Sequence, residues 1–416
     1  MYENDIKTEK ALLVSVDTGE FDAEVSIDEL EELAHTAGAE VVGKVIQKKE
    51  APEKATFVGV GKLAEIIAFC QSNDVDLLIF DSELSPSQQR NLENLTKVRV
   101  IDRTMLILDI FAMRARTSEG KLQVELAQLK YQLPRLAGQG TALSRLGGGI
   151  GTRGPGETKL ESDKRHIRRR VQKLEEELKE LEKRRNQMHK RREKDGVQTV
   201  AIVGYTNAGK STLMNALTDA GVLAQNKLFA TLDPTARALN LPDGRQVMLV
   251  DTVGLIRRLP HKLVEAFKST LEEAAHATVI LNVCDASDEH ASEHLEVTKN
   301  LLNELGCQGK PVISVMNKCD LVGDIYSMRT FGKTVMISAL QKKGFDDLVE
   351  AVMKELPPTR RKAELLIPFS AGGIAARIRN EGAVEFEEYR PEGLYMKAIV
   401  DISFLESISQ WILPTE

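Results

Sequence analysis

Eight consecutive residues, Gly204-Tyr205-Thr206-Asn207-Ala208-Gly209-Lys210-Ser211, have the types and spacing needed to hold a polyphosphate. Glycines at both ends let the backbone curl until successive N–H groups point at one centre. Lys210 can then reach the terminal phosphates, and the Ser211 hydroxyl can ligate Mg²⁺. The loop needs a strand before it and a helix after it. Both are written into the chain: Val200 to Val203 is an apolar run, and Ser211-Thr212 opens the helical stretch STLMNALTD, whose positive end faces the anion.

Further pieces stand downstream in the order a GTPase needs. Asp251 to Gly254, DTVG after the strand VMLV, places a carboxylate near Mg²⁺ and a glycine N–H where it can meet a γ-phosphate. In NKCD, Asn317, Lys318 and Asp320 end the strand VISVM. A carboxylate there accepts both the N1–H and the exocyclic amine of guanine, a pair adenine does not present, while the lysine stem covers the ring. Ser338-Ala339 adds a backbone N–H toward the guanine oxygen. Upstream, FATLDPT offers Thr231 as the switch threonine that closes on Mg²⁺, with Thr235 the weaker candidate. Lys210, Thr231, Gly254 and Asn207 are thus expected to carry phosphoryl transfer, with Ser211, Thr231 and Asp251 around Mg²⁺. The position after DTVG, where Ras-like enzymes orient water with glutamine, is Leu255. A leucine cannot polarise water, so slow intrinsic hydrolysis and an outside activator are expected. Asn207 resembles the asparagine with which some GTPases hold K⁺ beside the phosphates.

The elements that must position these groups fit a 416-residue chain of two to four domains, 42% hydrophobic and 28% charged. Even the apolar stretch TMLILDIFAM is cut by Asp109, and MYENDIKTEK lacks the layout of a signal peptide, so a cytoplasmic protein without membrane insertion is expected. Cys70, Cys284, Cys307 and Cys319 have no metal or disulfide spacing. His290 and His294, four apart on a predicted helix, read better as a solvated polar face than as metal ligands. A net charge of −6 means that nucleic-acid contact must come from local patches.

Residues 1–115 read as a small α/β domain with a mostly parallel sheet: strands at Ala11–Val16, Glu40–Gln47, Asp76–Phe80 and Val98–Ile101 alternate with amphipathic runs. Its VGVGK loop, Val58–Lys62, reads as a plain strand-to-helix turn. In 116–196, Leu122, Leu126, Leu129, Leu133 and Leu136 and then Ile167, Val171, Leu174, Leu178 and Leu181 mark two heptad seams, an antiparallel helical hairpin whose stripes face each other. Between them, Ala137–Thr158 holds eight glycines with Arg145 and Arg153. From Lys159 to Asp195, fifteen Lys or Arg stand against nine Asp or Glu, concentrated in KRHIRRR, with Lys164, Arg165, Arg168, Arg169 and Arg170, and in KRRNQMHKRREK. The same pattern serves as a solvated coiled-coil face or as an arm for phosphate backbones of structured RNA. Residues 197–357 alternate strands and helices as a doubly wound P-loop GTPase domain. After the short basic linker TRRKAE, 363–416 read as a small α+β appendage.

The chain resembles the HflX family of translational GTPases over nearly its whole length. The likeness rests on GYTNAGKST, FATLDPT, DTVGLIRRLPHKLVEAFKSTLEEA, FVGVGKLAEI and SPSQQRNLE, and above all on GGGIGTRGPGETKLE, Gly147–Glu161, which ordinary GTPases lack. The resemblance implies a ribosome-associated factor binding GTP, GDP, the large subunit and its rRNA; a monomer is expected. It further implies that the amino-terminal domain and hairpin enter the intersubunit region, that the glycine-rich tip approaches the peptidyl-transferase centre, and that the GTP form splits stalled ribosomes. Competing readings are a GTPase of ribosome assembly or tRNA modification, an ATP-driven RNA remodeller using Val58–Lys62, and a passive binding module with a structural nucleotide pocket.

Overall fold

Short runs of leucine and β-branched residues without polar alternation call for a sheet covered on both faces. In the computed structural model, which describes residues 8–136, 155–218, 229, 235–243, 245–258, 260, 263, 273–322, 333–358 and 360–413, four such runs form β1 (Lys10–Asp17), β2 (Glu40–Lys48), β3 (Leu77–Phe80) and β4 (Arg99–Asp102). All pair in parallel, in the order β2-β1-β3-β4. Helices α1 (Ala23–Ala37) and α4 (Arg103–Arg114) cover one face, and α2 (Val60–Asn73) and α3 (Pro86–Thr96) the other. Side chains fix where they begin: Asp22 accepts from Glu24 and Val25 N–H, Asp102 from Met105 N–H, and Ser85 with Gln88 forms a capping box. Each cap is worth about 1 kcal/mol. The Val58–Lys62 loop caps α2 through Gly59, whose amide donates to Gln47 Oε1, and a turn bridged by Glu53 and Phe57, rather than a strand, leads into it.

Helix α5 (Ser118–Arg135) departs from the expected seam. Its buried residues are Gly120, Gln123, Val124, Ala127 and Tyr131, and Val124, Ala127 and Tyr131 join the core formed by α1 and α4. The leucines at 122, 126, 129, 133 and 136 are only half-buried. A helix that must pack on a domain and on a second helix divides its apolar surface between two faces, and the heptad records the weaker one. The second helix, α6 (Pro155–Lys194), buries Leu174 alone among its own five seam positions. Ion pairs Lys130–Glu175, Arg170–Glu125 and Arg185–Glu119 connect α5 and α6. Arg135, at the end of α5, stacks 3.4 Å over Tyr131 and bonds Asp102, Leu84 C=O and Gln89, anchoring the helix to the sheet domain.

The third unit has strands β5 (Thr199–Gly204), β6 (Thr235–Asn240), β7 (Gln246–Asp251), β8 (Val279–Asp285), β9 (Val312–Asn317) and β10 (Lys333–Met336), with α7 (Lys210–Thr218), α8 (Ala291–Glu304) and α9 (Phe345–Glu355). The order is β10-β9-β8-β5-β7-β6, parallel except for the β6–β7 pair. Strand β6 escapes the sequence pattern because it is a mostly exposed edge. The last sheet, β11 (Arg360–Ile367), β12 (Ala383–Arg390) and β13 (Gly393–Asp401), is antiparallel in the order β11-β13-β12, with α10 (Gly372–Glu381) and α11 (Ile402–Ser407) on its apolar face. The basic stretch expected as a linker is already strand here: Arg360 pairs with Asp401. Among the described residues, no helix is long and apolar enough to cross a membrane.

One core crosses the unit boundaries. The cluster of α1, α4 and α5 continues into Tyr205, Phe229, Val253, Ile256 and Leu263, and Phe229 meets Phe111 edge to face at 4.7 Å. Apolar side chains from both expected switch segments are therefore buried against the amino-terminal domain.

Candidate nucleotide site

Gly204 closes β5 at φ +145°, and a Cβ there would lie 2.0 Å from the Val283 carbonyl on β8. Only glycine lets the chain leave the sheet so tightly. Gly209 takes φ +90°, and a Cβ on it would fall 2.2 Å from Asn317 Nδ2. Between them Thr206 and Ala208 are buried and Asn207, at φ +61°, is exposed. Helix α7 starts at Lys210, whose buried ammonium donates to the Tyr205 carbonyl at 2.7 Å. Ser211 Oγ donates to Asp251 Oδ2 at 2.8 Å, which sets two hard oxygen donors side by side, the set Mg²⁺ prefers; Thr212 follows on the same turn.

The segment after β7 lies directly on this loop. The Leu255 amide donates to the Gly204 carbonyl at 3.1 Å, and the Leu255 carbonyl accepts from Thr206 N–H at 2.7 Å. A Cβ at Gly254 would come within 2.6 Å of Thr206 and 3.1 Å of Lys210 Nζ. Thr235 opens β6 opposite Asp251 and is tied into the sheet; Thr231 lies outside the described residues.

On the other side, Asn317 is a strut. Its Nδ2 donates to the Ala208 carbonyl and its Oδ1 accepts from Ala339 N–H, both at 2.9 Å, joining the phosphate loop to the Ser338-Ala339 turn. Lys318 Nζ pairs with Asp285 at 2.5 Å, and Asp320 is exposed in the turn Cys319–Leu321. The arrangement is a phosphate cradle at one end of a slot and an outward-facing carboxylate at the other.

Comparison with known proteins agrees with that geometry. Residues 24–112 match the family "GTP-binding GTPase N-terminal", 114–192 "GTP-binding GTPase Middle Region" and 199–318 "50S ribosome-binding GTPase". GTPase HflX of Caldanaerobacter subterraneus subsp. tengcongensis is 50% identical over 405 residues, covering 97% of this chain and 94% of that protein. The chain belongs to the HflX family of GTPases. GTPase HflX of Escherichia coli is 43% identical over 391 residues, 92% of each chain. Among solved structures, a GTP-binding protein of Sulfolobus solfataricus in complex with GDP is 27% identical, covers 84% of this chain and 98% of its own, and superposes with a TM-score of 0.44. Membership makes the activity hydrolysis of GTP.

In this HflX GTPase the phosphate loop also touches the amino-terminal domain, a contact the motifs do not announce. The Tyr205 hydroxyl donates to the Glu29 carboxylate of α1 and accepts from Arg257 N–H at 2.6 Å. Its ring stacks on His294 at 3.7 Å. His294 is therefore buried, not on the solvated face expected for it; burial holds its pKa below the usual imidazole value, against the pull of Asp288. A cavity of about 180 Å³ separates α1 from the loop, with Asp28, Glu29 and Glu32 on one wall and Asp285 and Asp288 on another. The available signal was the apolar side chains Phe229, Val253 and Ile256 in the expected switch segments, which join the amino-terminal core.

Burial pushes the Lys210 pKa down to about 8, with Asp251 pulling the other way. In the nucleotide-free chain the lysine loses its proton as pH rises through that value, and phosphate needs the protonated form. GDP affinity is expected to fall about tenfold between pH 7 and pH 9. Calorimetric titration at the two values checks this; equal affinities would contradict it.

Of the residues expected on RNA, Arg165, Arg168 and Arg169 are exposed on α6 and Lys164 is half-buried. Arg170 differs, since its Nε and Nη2 donate to the two Glu125 carboxylate oxygens, each at 2.6 Å. Arg145 and Arg153 lie outside the described residues.

Proposed function

We propose that this GTPase binds the large ribosomal subunit and, in its GTP form, splits or rescues stalled or stress-inactivated ribosomes, with nucleotide state deciding when the basic arm engages rRNA. The observation that carries the reading is the shared core. Phe229, Val253 and Ile256 belong to the segments expected to respond to γ-phosphate, and they pack in one cluster with α4 and with the first helix of the arm. Rearranging those segments cannot leave that packing untouched, because a packed core shifts between discrete arrangements rather than deforming smoothly. The family description naming a 50S ribosome-binding GTPase points the same way.

The residues divide the work by position. Backbone N–H groups of Asn207 to Thr212 and the Lys210 ammonium bind the phosphates, and Gly204 and Tyr205 shape the entry. Asp320 selects guanine, with Lys318 over the ring and Asn317, Ser338 and Ala339 holding the frame. Ser211, Asp251 and Thr231 would hold Mg²⁺, which neutralises charge on the phosphate oxygens. Leu255 cannot polarise water, so Lys210, Gly254, Thr231 and Asn207 stabilise charge and orienting the nucleophile falls to an outside activator.

Light scattering of intact ribosomes tests the function itself. Scattering should drop with GTP and hold with GDP; a constant signal in both would leave a binder that does not split. Asn207 would hold K⁺ at the phosphates, and potassium replacing sodium should then raise turnover by about tenfold or more. Equal rates in the two salts, or stimulation retained by Asn207→Ala, would dismiss that role.

A further inference from the structure

A doubly wound sheet takes its ligand at the carboxyl ends of the strands where the winding reverses. In the amino-terminal domain that point lies between β1 and β3, because α1 covers one face and α2 the other. What sits there is a side chain of the GTPase unit. Asp81, fully buried just past β3, accepts from Arg258 Nη1 at 2.8 Å, from Ser26 Oγ at 2.7 Å and from Arg103 Nη1 at 2.9 Å. Arg258 also donates to Ser26 Oγ at 3.1 Å and to Ser82 Oγ at 2.9 Å, and its guanidinium lies 3.6 Å from the centre of the Phe21 ring.

We infer that the crevice formed by Asp81, Ser26, Ser82 and Phe21 is a guanidinium-binding site, and that Arg258 is its resident ligand, latching the segment after DTVG to the amino-terminal domain. The chemistry is specific. A planar fork can meet a carboxylate and two hydroxyls while stacking on an aromatic ring, whereas a lysine offers one point charge. The site also has a need for a cation. Arg103 is shared between Asp81 and Glu29, so without Arg258 two buried carboxylates face one guanidinium. Arg258 itself takes a left-handed φ of +50°, a conformation costing on the order of 1 kcal/mol that the docked side chain offsets.

The latch bears on the nucleotide. With Arg258 docked, Leu255 lies hydrogen-bonded along the phosphate loop. In that position Gly254 lies against Thr206 and Lys210 Nζ, the ground a terminal phosphate would take, so on this inference docking and GTP binding oppose each other, and the coupling is reciprocal. This rests on the GTP-dependent switching proposed above, but its test needs no ribosome, so the two can fail separately.

The test uses the full chain with Arg258→Ala and Arg258→Lys. Affinities for GDP and for a non-hydrolysable GTP analogue should show the analogue-to-GDP ratio rising about tenfold in both variants. Ethylguanidinium, compared with ethylammonium at equal concentration, should raise the melting temperature of Arg258→Ala and not that of the parent chain, whose crevice is already filled. An unchanged affinity ratio, or identical responses of parent and variant to ethylguanidinium, would overturn the assignment. Because Arg258 is partly exposed, neither variant removes a core residue.

Discussion

Replacing Asp320 with asparagine is expected to reverse base preference, from guanine to xanthine. The carboxylate only accepts, which suits the N1–H and amine of guanine, whereas an amide can donate to the additional oxygen of xanthine. A site built to hydrogen-bond one partner rejects an analogue lacking it by on the order of 10⁴-fold, so the loss of GTP affinity is large. The fold should not notice. Asp320 is exposed, and the strut that frames the pocket is Asn317, bonded to Ala208 and Ala339. Titrations with GDP and xanthosine diphosphate decide the matter, and a variant that still prefers GDP would remove Asp320 from the base site.

Reversing the charges of Lys164, Arg165, Arg168 and Arg169 is expected to weaken ribosome binding by on the order of 10²-fold or more and to lower the salt slope by about four. Each residue that contacts a phosphate releases counterions, so removing four contacts flattens the dependence on salt. Arg170 has a different role. Its guanidinium is paired with Glu125 across the helices, so replacing it should loosen α5 from α6 rather than remove a phosphate contact. Binding isotherms at several salt concentrations check both quantities; an unchanged slope would reduce the exposed arm to a scaffold.

The phosphate loop, DTVG and NKCD were legible because their chemistry is local: each needs a few residues at fixed spacing at the end of a strand. The four parallel strands of the first sheet were legible for a similar reason, as buried apolar runs bounded by polar turns. Contacts between distant segments were not. Nothing in the spacing of DTVGLIRR says that Arg258 reaches Asp81, 177 residues earlier, or that Phe229 meets Phe111. In α5 the heptad marks the less buried face, since its leucines follow a regular seam while the buried stripe, including Val124, Ala127 and Tyr131, runs along a neighbouring face. On its helix alone His294 reads as solvated, whereas its burial is decided by Tyr205 from the phosphate loop. The edge strand β6 carried too little apolar pattern to be seen, though its pairing places Thr235 across from Asp251.

The most direct measurement is co-sedimentation of the chain with isolated large subunits in GDP and in a non-hydrolysable GTP analogue. If γ-phosphate frees the switch segments from the amino-terminal core and thereby presents the arm, the analogue form should pellet with the subunits and the GDP form should stay largely in the supernatant. Equal pelleting in both nucleotides would contradict the coupling of nucleotide state to rRNA engagement.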